Sequence, residues 1–202
     1  MFRRCLAALT ATLVAFVLVP TAAAVRVKVR VEGKSQTIFN AADTTADVPS
    51  STPLNALAAL DWASIAGEFY YHVSASSFGN YVDQIGRFPA AAQTGWVFKV
   101  NGASPPVGAD HVQLKDGDRV LWYWAQFGVA GGPDTLVLRR AGPRCYRVTR
   151  QNDAGVERPA AGATLLVGTR RFATRNGGAC IRRHTGLVRA MLGGAVRSNA
   201  VR

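Results

Sequence analysis

Four residues close together in the chain, His72, Ser74, Ser76 and Asp83, carry the groups a hydrolase needs. These are a hydroxyl nucleophile, an imidazole base and a carboxylate to orient it. Nothing in their spacing demands a triad, and they read equally as polar residues on the wet face of a strand. The chain has no Gly-x-Ser-x-Gly elbow, and His72, His111 and His184 are too scattered for a zinc site. Asp110, Asp116 and Asp118 offer oxygens for calcium, but calcium takes six to eight such ligands, and Asp116-Gly117-Asp118 is also the composition of a tight turn. The expectation is therefore a protein that binds rather than one that catalyses, with no cofactor and no metal.

Two residue types could do the binding. Trp96, Phe98, Trp122, Tyr123 and Trp124, with Asn101 beside them and Tyr70, Tyr71 and Tyr81 upstream, could form a platform that stacks on a planar or sugar ligand. The bland alternative is that they fill a core. Arginine supplies the second chemistry. The sequence holds 24 basic and 12 acidic residues, a net of +12, but from residue 25 to 133 there are 8 basic against 9 acidic, and from 134 to 202 there are 14 against 3. The basic excess thus belongs to the second segment, where every cation is arginine. Arg139, Arg140, Arg170, Arg171, Arg182 and Arg183 are the candidates for an anionic partner, either a polymer of the cell envelope or another surface protein. Nucleic acid ranks lower, because this segment has only Tyr146 and Phe172 for base stacking.

The N-terminus bears on the compartment. Arg3 and Arg4 precede an apolar run from Leu6 to Val19, followed by Pro20 and Ala22-Ala23-Ala24, the three parts of a secretory signal cleaved after Ala24. The apolar run is 14 residues, against the roughly 20 a membrane span needs. Cleavage removes Cys5 and leaves Cys145 and Cys180, an even pair in an oxidising compartment, which reads as a disulfide. The expected location is outside the cytoplasm, secreted or at the cell surface, with no span in the mature chain.

These groups need elements to position them. Val25 to Val31 alternates strictly, valines to one face and Arg26, Lys28 and Arg30 to the other, which predicts a half-buried strand. Glu32-Gly33-Lys34 turns into a second strand at Thr37 to Asn40. Thr52-Pro53 predicts a helix start, with Leu54, Leu57, Ala58 and Ile65 on one side of a helix running to Ala66. Strands are then predicted at Phe69 to Val73, Tyr81 to Ile85, Trp96 to Val100 and Val120 to Trp124. In the third of these, Trp96, Phe98 and Val100 face opposite to Val97, Lys99 and Asn101; in the fourth, Trp122 and Trp124 oppose Tyr123. The turn-rich run 128–133 reads as a linker. Beyond it, Leu136 to Arg139, Cys145 to Thr149, Ala163 to Val167, Ala179 to Arg182, Gly186 to Ala190 and Val196 to Val201 are candidate strands of a small sandwich.

The blocks Gly95 to Gly102 (GWVFKVNG), Val107-Gly108-Ala109-Asp110, Leu114 to Asp118 (LKDGD) and Val120 to Trp124 (VLWYW) occur in order with compatible spacing. With the upstream strand and helix, residues 25–127 resemble the bacterial family related to the C-terminal domain of transcobalamin and intrinsic factor. The resemblance implies a ubiquitin-like β-grasp domain, a mixed sheet plus one helix, on exported bacterial proteins. Its animal relatives enclose cobalamin together with a helical barrel domain that this sequence does not contain. Residues 134–202 are similar, through Pro159 to Gly168, Thr174 to Ala179, Gly186 to Ala190 and Val196-Arg197-Ser198, to bacterial Ig-like or carboxypeptidase-regulatory-like modules. The whole reading is a mainly β, exported, non-enzymatic binding module, with a small-ligand carrier of corrinoid-like molecules as the alternative.

Overall fold

The alternating valines of the first strand are sorted as the pattern requires: Val27, Val29 and Val31 are buried, while Arg26 and Lys28 stay exposed. The computed structural model describes residues 25–40, 46–48, 54–76, 79–127 and 131–202. The signal reading of 1–24, the Thr52-Pro53 helix start and the first half of the 128–133 linker fall outside them.

Strand β1 (Val25–Glu32) turns through Gly33 into β2 (Thr37–Asn40) and also pairs with β3 (Ala46–Val48), both antiparallel. The helix α1 (Ala56–Gly67) follows, then a small antiparallel sheet of β4 (Tyr71–Ser76), β5 (Gly79–Ile85) and β6 (Phe88–Pro89). Strands β7 (Thr94–Val100) and β8 (Arg119–Gln126) complete the main sheet, in the order β2-β1-β8-β7, with β1 and β8 parallel. It is a mixed sheet with one helix on it.

The helix departs from expectation in start and face. Its N-cap is Asn55, whose side-chain oxygen accepts from the Ala58 amide at 2.8 Å, satisfying one of the helix's free N–H groups. Its buried side is Ala56, Ala59, Leu60 and Ala63, the i, i+3, i+4, i+7 stripe. Ile65, expected on the core side, is 65% exposed. Three alanines on the inner stripe let the helix lie close to a sheet already filled by Trp96 and Trp122.

The second half contains two sheets facing each other over one core. One is β9 (Thr135–Arg140), β10 (Cys145–Gln151), β11 (Glu157–Pro159) and β14 (Gly178–Cys180); the other is β12 (Thr164–Val167), β13 (Arg170–Ala173) and β15 (Val188–Met191). Leu136, Leu138, Tyr146 and Val148 from the first meet Leu165, Val188 and Ala190 from the second, which makes a small sandwich. The expected strand Val196 to Val201 is reduced to isolated bridges, Val196 to Thr135 and Val201 to Val188. Side chains replace the ladder there. Asn199 exchanges two 3.0 Å hydrogen bonds with the Leu138 backbone, and the Ser198 hydroxyl accepts from the Ala190 amide.

The outer face of the main sheet is also covered. Tyr123 and Ala125 form a small cluster with Val196, edged by Val97 and Leu121. The second half therefore packs on the sheet face opposite the helix.

Candidate functional site

The proposed triad residues meet, but not as a triad. His72 Nδ1 lies 2.7 Å from Asp83 Oδ1, and the Ser74 hydroxyl donates to the other oxygen of the same carboxylate. Serine and histidine thus share the Asp83 carboxylate, one on each oxygen, instead of bonding each other, so the imidazole is not the partner of the hydroxyl. Burial raises the Asp83 pKa, but the hydrogen bonds from Ser74 and His72 outweigh it and leave the carboxyl below its ordinary value. The calcium candidates are likewise occupied. Asp118 accepts from the Asn101 side chain at 2.8 Å and the Lys115 amide at 2.9 Å, and Asp116 accepts from the Arg26 amide at 3.0 Å. Gly117, at φ +84°, makes the turn between them. Among the described residues, no group of three or more His, Cys, Asp or Glu is placed to hold a metal ion.

The aromatic candidates do not form an open platform. Trp96 and Trp122 point into the helix-side core, where Trp96 packs edge-on against Trp124 and Trp122 stacks on Phe98 with centroids 5.0 Å apart. Tyr123 points the other way and is buried against the second half, where burial pushes its phenol pKa up. Asn101, at φ +52°, is a turn residue that donates to Asp118 and accepts from the Arg119 amide. Alternation along β7 and β8 divides the set between two faces, and both faces are covered. A cavity of about 300 Å³ nevertheless reaches Trp96, Phe98, Trp122 and Tyr123 beside Tyr81 and Phe127. The Trp122 indole nitrogen is buried without a hydrogen-bond partner.

The arginine candidates separate by partner. Arg139 makes two 2.6 Å hydrogen bonds to Glu157 and is neutralised by it. That contact raises the Arg139 pKa and lowers that of Glu157. Arg140, Arg170, Arg171, Arg182 and Arg183 are exposed with no carboxylate partner among the described residues. Arg140 and Arg183 line one surface hollow of about 550 Å³ with Arg144, His184 and Arg202. Arg170 and Arg183 line a second, about 420 Å³, which shares Arg183 and His184. Arg202 carries no local mark in the sequence, and Arg144 and His184 are brought to the groove by the turn before β10 and by the 181–187 loop.

The geometry of this groove has a framework. Cys145 and Cys180, direct partners across β10 and β14, are joined by a disulfide. The Ile181 amide donates to the Arg144 carbonyl at 2.8 Å, and His184 Nε2 lies 2.9 Å from the Tyr146 hydroxyl. The other ring nitrogen of His184 is buried without a partner.

Residues 63–126 match a family described as a domain of unknown function, DUF4430. None of the curated proteins compared with the chain matches it. Among solved structures, a candidate metal-binding protein from Ruminococcus gnavus ATCC 29149 aligns at 15% identity and a TM-score of 0.37, covering 52% of this chain and 99% of that one. Nothing in these comparisons indicates catalysis.

Proposed function

We propose that the chain is an exported, non-enzymatic binding module of two units, 25–127 and 134–202, and that the second unit holds an anionic polymer of the cell envelope. The observation that carries this reading is the double hollow around Arg183 and His184. Five arginines, Arg140, Arg144, Arg170, Arg183 and Arg202, surround it, and no Asp or Glu among the described residues lines it. Guanidinium forks match carboxylate, sulfate and phosphate groups, and a row of them suits a repeating anion better than a single one. The disulfide and the signal-like N-terminus support a location outside the cytoplasm. The resemblance of the first unit to transcobalamin C-terminal-like domains fits a module carried on exported bacterial proteins.

Heparin, as a sulfated glycan, tests the reading. The chain should elute from immobilised heparin at substantially higher salt than an Arg144→Ser/Arg183→Ser variant, with affinity falling as salt rises. Equal elution of the two would remove the groove as the site.

A second reading, a small-ligand carrier, draws on the aromatic cavity beside Trp96 and Trp122 and on the unpartnered Trp122 N–H. Titration with cobalamin, followed by absorbance, tests it. Micromolar binding lost in Phe98→Ala would favour the carrier.

A further inference from the structure

Between the main sheet and the second half lies a cleft of about 270 Å³, separate from the arginine groove. Leu121 and Val137 give it an apolar surface, and Lys28, Arg30, Arg119 and Arg139 give it charge. Among the described residues, the only carboxylate lining it is Glu157, which is already bonded twice to Arg139.

The placement of the remaining cations is unusual. In the parallel pairing of β1 with β8, Lys28 lies directly beside Arg119, and Arg30, two residues along on the same face, beside Leu121. Partners in such a register share a face, so Lys28 and Arg119 are like charges side by side, an arrangement that costs stability. Neither side chain forms a salt bridge among the described residues, although the charge of Arg119 is felt at Glu157. Just behind them, Arg30, Arg189 and Arg197 converge on a single carboxylate, Glu32, which is 1% exposed. One negative charge is thus shared by three guanidiniums while two more cations stand at the cleft mouth. Burial, with repulsion from Arg189, Arg197 and Arg119, brings the Arg30 pKa down to about 10 despite the help of Glu32.

We propose that this cleft binds a small organic anion with at least two negative charges, held by Lys28, Arg30 and Arg119, with its carbon body against Leu121 and Val137. The volume lies just below the range of about 300–1,000 Å³ typical of drug-sized ligands, which limits the occupant to a small metabolite-sized molecule. Carboxylate and phosphate esters both match the donors, since guanidinium pairs with either through two parallel hydrogen bonds. Clefts between packed units are also where small-molecule sites concentrate. The site is independent of the polymer-binding groove, since none of its charged residues lines either arginine hollow.

Isothermal titration of the full chain with citrate and with glucose 6-phosphate at 150 mM salt tests the proposal and separates the two sources of charge. Saturable binding of either is expected, weakened at least tenfold by Lys28→Ser/Arg119→Ser and unchanged by Arg144→Ser/Arg183→Ser. Both substituted residues of the first pair are exposed, and a urea melt of that variant confirms that it is folded. If only citrate binds, the site is for polycarboxylates; if only glucose 6-phosphate binds, it is for phosphate esters. Absence of saturable binding of both, or binding that survives the Lys28/Arg119 substitution, overturns the proposal. Failure of the parent chain to bind heparin, with citrate or glucose 6-phosphate still bound, would sink the polymer reading alone.

Discussion

Arg197 reaches back across 165 residues to place its guanidinium 3.2 Å from the carboxylate of Glu32 on the first strand of the main sheet. Arg189 and Arg30 approach the other oxygen at 3.5 Å, and the Thr37 hydroxyl donates at 2.8 Å. The polar face of β1, which alternation alone assigns to solvent, is therefore an interface. Part of the basic excess of the second half is spent on it.

Glu32→Gln should be severely destabilising. It leaves Arg30, Arg189 and Arg197 clustered without their shared anion, and breaking a buried charge group in this way typically costs about 3–5 kcal/mol. Urea denaturation should show the midpoint falling well below that of the parent. A shift under about 0.5 kcal/mol, the scale of an ordinary surface change, would mean that the cluster is solvated and unimportant.

Lys99 makes the second long-range tie. Its fully buried ammonium donates to the carbonyls of Asn152 at 2.9 Å and Gln151 at 3.2 Å, and lies 3.4 Å from Asp153. Lys99→Met should cost about 2 kcal/mol near neutral pH, because two carbonyls lose their donor. Burial lowers the Lys99 pKa, and Asp153 recovers only part of the loss. The folded state then releases this proton before the unfolded state does, so the parent should gain stability relative to Lys99→Met as pH rises toward about 10.4, the unfolded value. Paired denaturation curves at pH 7 and pH 10 measure that difference; a gap that narrows would contradict the assignment.

The acid side has a separate source. Glu157 is held below its ordinary pKa first by the hydrogen bonds from Arg139, against some burial, with help from Thr149. A depressed carboxyl contributes stability above its unfolded pKa of about 4.3 and loses it as pH falls through the folded value. With Arg139 nearly half exposed, the contribution should be about 1 kcal/mol or less. Glu157→Gln should therefore be less stable than the parent at pH 6, and the offset should shrink as pH falls below about 4.3. A constant offset across that range would show that the pair is not what titrates.

How far the sequence could be read follows from which physical signals are local. Period-two valines placed β1, and aromatic and β-branched runs placed β5, β7, β8, β10 and β12 within a few residues, because alternation and composition act within a strand. The helix face was misread, since Leu57 and Ile65 look more apolar than Ala56, Ala59 and Ala63, yet the sheet's tryptophans leave room only for small residues. Short strands such as β11 and β13 carry arginine and proline and exist through pairing with β10 and β12, which no local window reveals. In the groove, doubled arginines drew attention to Arg140, Arg170 and Arg183, whereas Arg144, Arg202 and His184 join them only through the disulfide-framed packing of β10 on β14.

That framing makes the disulfide a test of both stability and binding. Cys145 and Cys180 are 35 residues apart in sequence, and closing a loop of that size contributes about 3–4 kcal/mol on the chain-entropy account. Cys145→Ser/Cys180→Ser should lower stability by roughly that amount. Arg144 adjoins one cysteine, and its carbonyl oxygen accepts from the amide of Ile181, next to the other. Arg183 and His184 follow three and four residues after Cys180, so the bridge fixes the distance between the two sides of the groove. The unbridged variant, at a temperature where it remains folded, should therefore elute from heparin at lower salt than the parent although every arginine is still present. Unchanged elution would mean that the arginines act as loose charges rather than as a positioned row, and would reduce the groove to a merely basic surface.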